Sequence, residues 1–448
     1  MNAGAGDARS VRIDELLDAG KWNPFQKFVL GLLSLAYLTD GLANQSLGLA
    51  IPALVQDWGL PREAFASIAA IGLVGLTIGA VIGGMLGDRF GRRSTMVAST
   101  AVFGIATIAQ AWASTPGELA AMRFVDGIGI GAMIPNGAAL IAEFTPRPRR
   151  AFAIAFGMAF IPVGSMLAGL VGAMVIGPYG WQGLFATLGG ISLAVAVLLL
   201  LLLPESPTYL AISGASQERL RAIAARCGID PGSAVIGAAD PRTDAAERTP
   251  LSALFDRDVA SSTVFLWIAF FFCLLANYSM FSWVPSMLAS LGFALSLTGL
   301  GMTWLSLGGI MGGIGCGWLI GKCGSRMVVI AFAAGGVVSS LALGLLIDRG
   351  VGGLAGILGF LFVIGIFASG LLNGIYTFAA FIYPDRARST GVGAAAAAGR
   401  VGAIVSSYAG VIALAVGGAS GYFLLIAGSL AISLVAVALI KRQIPKAA

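Results

Sequence analysis

A chain of 448 residues that is 58% hydrophobic and only 11% charged lacks the roughly 25% of charged residues that keeps a soluble domain in water. Its mean hydropathy of +0.91 makes lipid the main solvent. The net charge of +6 would suit nucleic acid, but the basic residues are spread over many short polar segments and form no single patch, which excludes that partner. No histidine is present, and the 4 cysteines show no metal-ligand spacing, so Cys/His catalysis is excluded, and neither a disulfide framework nor a metal cluster is implied. No nucleotide-binding or catalytic motif marks an enzyme.

The first 26 residues are polar and mixed in charge, unlike a cleaved signal peptide. Apolar stretches then follow near 27–51, 65–86, 95–113, 118–143, 151–176, 182–203, 260–290, 297–320, 327–347, 353–381, 390–415 and 420–440. Each is close to the roughly 20 residues that a helix needs to cross a bilayer. Their continuous apolar character differs from the short alternating strands of a barrel. The expected fold is an all-α polytopic membrane protein with twelve transmembrane helices.

Between Pro204 and Val259 the chain turns polar. The expected organisation is therefore a cytoplasmic tail (1–26), a six-helix bundle (27–203), a cytoplasmic linker (204–259), a second six-helix bundle (260–440) and a short tail (441–448). Within the linker, Ser216 to Cys227 reads as an amphipathic surface helix with Leu220, Ile223 and Ala224 on one side. Of the 27 basic residues, all but Arg62, Arg349, Arg123 and Arg400 fall in segments on one face of the membrane. Positive loops stay on the cytoplasmic side, so both termini are expected there, in an inner membrane.

The two halves echo each other at a spacing of about 235 residues, as internal repeats of carriers do. GMLGDRFGRR, from Gly84 to Arg93, aligns with GWLIGKCGSR, from Gly317 to Arg326, pairing Gly91 with Gly324. Asn136 pairs with Asn373, and Pro146 with Pro384. The repeat implies two parallel bundles with a path between them near mid-membrane.

Four ionisable residues lie well inside apolar stretches: Asp40, Arg123, Asp126 and Arg400. Each costs about 2.5–3.5 kcal/mol at a helix centre, so such residues face a cavity or a partner. Asp40 stands 13 residues past Lys27, about 20 Å along a helix and so near the midplane. Without histidine, carboxylates must carry any proton, and Asp40 is the candidate carrier. Arg400 offers a planar fork suited to an anionic carboxylate. Arg123 and Asp126, three apart on one helix face, can pair with each other, or Arg123 can pair with Asp40. The alternative reading is a buried structural ion pair that holds helices together, which would also satisfy the charges.

Uncharged candidates for a substrate site are Asn44 with Gln45, Asn136, Asn277, Tyr278, Asn373 and Tyr376, polar groups in apolar helices that bond across helices or to a ligand. Trp283, Trp304 and Phe378 can stack on an aromatic ring or pack between helices. At the cytoplasmic ends Asp88, Arg89, Arg92 and Arg93, with Glu143, Arg149 and Arg150, form a candidate gate, although simple positive-inside charge would account for Arg92 fully and for Asp88 poorly. Glycines 72, 75, 79 and 83 recur at three- or four-residue spacing, which permits close helix approach.

The segment GDRFGRR after the second span, and Arg123 with the glycines 127, 129 and 131, resemble the signatures of the major facilitator superfamily. Within it the chain resembles the aromatic acid:H+ symporter family. The supporting residues are Asp40-Gly41, Ile134 to Asn136, Ala142 to Arg150, Leu203 to Ser206, Ser282 to Leu288 and Gly399 to Ile404. Two positions depart from that pattern: Ala43 stands where a second acid is usual in the first span, and Gly321 where an acid is common in the second-half loop. The resemblance implies symport of a small organic, aromatic carboxylate with H+ by a chain functional as a monomer, without other cofactors. It also implies a role for Arg400 in substrate recognition, and for the charged loops in holding one state of the carrier. Asp126 can then stand in for the acid missing at Ala43. An antiporter exporting drugs or organic cations, with Asp40 or Asp126 facing the cation, is the alternative.

Overall fold

The computed structural model describes residues 10–20, 22–229, 235–237, 254, 260–350, 353–383 and 388–440. The N-terminal half runs β1 (Ser10–Arg12), α1 (Ile13–Ala19), α2 (Pro24–Trp58), α3 (Ala64–Phe90), α4 (Arg92–Gln110), α5 (Pro116–Phe144), α6 (Arg147–Met158) and α7 (Phe160–Leu202). Two short helices, α8 (Pro207–Ile212) and α9 (Gln217–Arg226), and the strand β2 (Val235–Gly237) follow. The second half holds α10 (Ala260–Ser290), α11 (Leu295–Cys323), α12 (Ser325–Asp348), α13 (Gly353–Ile382) and α14 (Arg388–Leu439).

Among the described residues, eight continuous helical stretches are long and apolar enough to cross a membrane. Two of them cross twice, because α7 and α14 fold back at Gly180 (φ 64) and Gly418 (φ 61), a left-handed backbone that only glycine adopts cheaply. The 35-residue α2 and the 19-residue α4 complete the twelve. Helix α2 is less apolar because it carries Asp40, Asn44 and Gln45. Its start is set by a capping box, in which the Asn23 side chain accepts from Gln26 N at 2.9 Å while Gln26 Oε1 accepts from Asn23 N at 2.9 Å, with Pro24 in the first turn.

The expected repeat is visible in the backbone. Gly91 (φ 97) separates α3 from α4, and its aligned partner Gly324 (φ 80) separates α11 from α12. Pro384, the proposed partner of Pro146, lies outside the described residues. The two six-helix bundles meet mainly through α2 on α10, α3 on α14 and α7 on α11, with a smaller contact of α2 on α11. Gly169 of α7 and Gly299 of α11 face each other so closely that a Cβ on either would run into the other's carbonyl. Nearby Thr303 Oγ1 donates to the Met166 carbonyl at 3.2 Å, and a Cβ at Gly48 would stand 2.7 Å from the Phe281 carbonyl. These contacts lie in the half of the membrane away from the termini, where the bundles are pressed together.

The tail and the linker, expected as separate polar segments, are joined. Strand β1 pairs in parallel with β2 in the register Ser10 to Val235, and Ile13, Leu17, Leu220 and Ala224 are buried together with Ile236. Helix α9 matches the expected amphipathic segment. Its apolar side is covered by this small cap, which sits on the N-terminal bundle.

Candidate functional site

The site is built around α2 and α5. Arg123, 7% exposed, donates through Nη1 to Asp126 Oδ2 at 2.5 Å, to the Ala43 carbonyl at 3.1 Å and to Ser46 Oγ at 3.3 Å, and through Nη2 to the Asn44 carbonyl at 3.0 Å. One guanidinium therefore closes its own ion pair and fastens α5 to α2. Asp126 is fully buried and accepts in addition from Thr107 Oγ1 of α4 at 3.1 Å. The i,i+3 pairing is the one realised among the two that the sequence left open. Such a pair, desolvated but fully hydrogen-bonded, is tolerated where an unpaired charge is not.

Asp40 is 3% exposed and has no hydrogen-bond or ion-pair partner among the described residues. It stands within electrostatic reach of Asp126 and of Tyr278. Arg400 is half-buried and equally unpaired among the described residues, within electrostatic reach of Tyr278 and Tyr376. Tyr376 also meets Phe270 edge-on at 4.8 Å. The outcome is an unpaired acid on the N-terminal bundle, an unpaired guanidinium on the C-terminal bundle and aromatic hydroxyls near both. A small cavity of about 30 Å³, room for one or two waters, lies beside Arg123 and Asp126, with Asn44, Tyr278 and Phe281 in its wall.

Three of the expected substrate contacts, Asn136, Trp283 and Asn277, have packing or hydrogen-bond partners within their own bundles. Asn136 is buried with its amide donating to the Gly83 and Ala132 carbonyls, each at 2.8 Å, so it packs α3 against α5. Trp283 is fully buried against Gly410, in the core of the C-terminal bundle. Asn277 donates to the Cys273 carbonyl at 2.9 Å and to the Ala368 carbonyl at 3.4 Å, joining α10 to α13. Asn373 is exposed and donates to its own helix at Ser369 O, 3.1 Å. Phe378 is fully buried, while Trp304 is partly exposed and meets Phe362 edge-on at 6.0 Å. Gln45 is buried with neither amide atom partnered among the described residues.

At the terminal side the charges form two separate clusters. Arg92, for which plain topology charge is the alternative to a gate, pairs with Glu143 and reaches Asp88 at 3.5 Å, while Glu143 also accepts from Ser206 Oγ. Arg93 Nη2 donates to the Leu200 carbonyl at 2.6 Å, and its backbone N–H to Glu205 Oε1 at 3.0 Å. Arg89 lies over the Phe90 ring at 5.2 Å. Arg150 belongs to the other cluster, paired with Asp18 at 2.8 Å. Among the described residues every ion pair stays within the N-terminal half. Sequence reasoning missed Thr107, Ser46, Glu205 and Asp18. The first two carried the same signal as the asparagines, a polar group in an apolar span.

The sequence profile of the Major Facilitator Superfamily matches residues 33–358 and 266–448. A gallate transporter of Pseudomonas putida is 33% identical over 422 residues, covering 90% of each chain. A 4-hydroxybenzoate transporter, PcaK, of Pseudomonas aeruginosa is 28% identical, again over 90% of each chain. Among solved structures, the xylose transporter XylE of E. coli in a partially occluded inward-open conformation superposes with a TM-score of 0.72 at 19% identity, covering 93% of this chain and 97% of that one. A twelve-span double bundle with charges at its centre is the architecture of a secondary transporter, and not of an enzyme. The chain belongs to the major facilitator superfamily.

Proposed function

We propose that this protein imports a small aromatic carboxylate together with protons by alternating access, as a monomer in the inner membrane with both termini in the cytoplasm. The observation that carries this reading is Arg400, a guanidinium inside the membrane with no counterion among the described residues and with Tyr278 and Tyr376 in its electrostatic reach. A substrate carboxylate completes the pair that an arginine inside the membrane requires. The tyrosine hydroxyls supply donors or acceptors for ring hydroxyls, and the relatives named for gallate and 4-hydroxybenzoate support that substrate class.

Asp40 is the proton carrier in this scheme, because its carboxyl, unlike that of Asp126, has no cation or donor among the described residues to hold it charged. The proton is the only coupling species. The pair of Arg123 with Asp126 supplies the acid absent at Ala43 and keeps α2 and α5 moving as one body. Rocking of the two bundles alternates the closed half seen at Gly169 and Gly299 with closure at the other side, where the cluster of Asp88, Arg92 and Glu143, with Arg89 and Arg93 beside it, forms the gate. The membrane potential supplies about 2.3 kcal/mol per net charge per 100 mV.

The test is uptake of radiolabelled gallate and 4-hydroxybenzoate into proteoliposomes, with and without an inward proton gradient. Wild type accumulates acid only with the gradient. Arg400→Ala loses both accumulation and exchange, whereas Asp40→Asn keeps exchange of external for internal acid but loses accumulation. Organic-cation export that Arg400→Ala leaves intact would overturn the proposal in favour of an antiporter.

A further inference from the structure

Away from the central site, a groove of about 550 Å³ opens between α2 and the α6–α7 helix near the terminal side. One wall is an aromatic ladder: Trp22 meets Phe152 at 6.3 Å, Phe152 meets Phe156 at 6.0 Å, and Phe156 meets Phe160 at 5.4 Å between ring centroids. The facing wall is Leu30, Gly31 and Leu35. The aromatic wall is turned away from the other bundle. Phe152 and Phe156 are 60% and 42% exposed, and Phe156 lies about 140° round the helix from Gly169, at 100° per residue, while Gly169 is the residue pressed on the other bundle.

Its mouth is polar and cationic. Lys27 Nζ and the Arg149 guanidinium both lie over the Trp22 ring, 5.7 and 5.6 Å from its centroid, and both side chains are exposed without an ion pair among the described residues. The adjoining recess of about 440 Å³ is lined by Lys27, Arg149, Trp22 and Asp18. Asp18 is the one acid there, and its Oδ1 accepts from Arg150 at 2.8 Å and from Arg147 N at 3.0 Å. Two cations therefore remain uncompensated above an apolar channel, at the depth where a tryptophan marks the headgroup layer.

We propose that this groove binds one anionic phospholipid, with the phosphate between Lys27 and Arg149 and an acyl chain along Phe152, Phe156 and Phe160. Charge complementarity selects this occupant, since a zwitterionic lipid brings its own cation to the two basic side chains. The groove does not involve Arg400 or Asp40, so the assignment is independent of the carrier reading.

The experiment is quenching of tryptophan fluorescence by brominated lipids in the reconstituted full chain, taking the Trp22 component as wild type minus Trp22→Phe. Brominated phosphatidylglycerol quenches that component at several-fold lower mole fraction than brominated phosphatidylcholine. Lys27→Gln with Arg149→Gln abolishes the preference. Gly31→Leu, whose added side chain meets nothing within 4 Å of its Cβ, fills the channel and lowers quenching by both lipids while leaving the charges and the fold in place. Equal quenching by both lipids in the wild type would mean ordinary surrounding lipid, and protection from both would mean a protein covers the groove. Either result overturns the assignment.

Discussion

Arg123 holds Asp126, three residues along its own helix, at 2.5 Å and in the same grip donates to the carbonyl of Ala43 on the neighbouring helix at 3.1 Å. The side chain at position 43 is apolar, so the acid that neutralises this arginine comes from α5, and the link to α2 is made through uncharged groups, the Ala43 and Asn44 carbonyls and the Ser46 hydroxyl. That arrangement separates the charge balance of the site from its helix packing.

Removing one member of this pair leaves the other buried and uncompensated, which costs about 3–5 kcal/mol. Asp126→Asn is therefore expected to lower the unfolding temperature in detergent strongly. Arg123→Met combined with Asp126→Leu recovers most of the loss, because both desolvated charges are gone. A melt series of the two single variants and the double variant checks this, and additive losses would contradict it.

Arg92 is expected to matter more than Arg89 for transport. The first pairs with Glu143 and reaches Asp88, while the second rests on the Phe90 ring. Arg92→Gln frees Glu143 and shifts the balance between the two carrier states, and initial uptake rates should fall several-fold. Arg89→Gln should stay within a factor of two. The ratio of the two rates, normalised to protein inserted, is the measurement.

Gln45 is buried with both amide atoms unpartnered among the described residues. An unsatisfied buried polar group costs about 1–3 kcal/mol, so Gln45→Leu, close in size, should raise the melting temperature. Were the same variant to bind substrate less tightly with no gain in stability, the amide would belong to the transport path.

Thiol labelling reads the cap beneath the N-terminal bundle. Burial pushes the Cys227 thiol up to about 11, partly offset by the neighbouring Arg226 guanidinium, whereas Cys323 is exposed. Only the thiolate reacts readily. Maleimide at pH 7 should therefore modify Cys323 within minutes and leave Cys227 unlabelled in peptide mass spectra, until deletion of residues 1–12 removes β1 and loosens the cap.

Much of the architecture was legible in one dimension. Segment hydropathy marked twelve crossings, the glycines at 91 and 324 marked the repeat, and the rarity of charge in lipid singled out Asp40, Arg123, Asp126 and Arg400. Each is a local property of composition or of insertion cost, and none needs a neighbour to be known. Partnership was not legible. That Arg123 chooses Asp126, that Asn136 and Trp283 are spent on helix packing, that Arg92 reaches Glu143 and that the tail strand joins the linker all depend on which helix faces lie together. In water the polar face of a helix points outward and betrays the buried one, but in a bilayer both faces are apolar. Helix rotation is therefore decided by the close glycine contacts and hydrogen bonds that form only when the bundles pack.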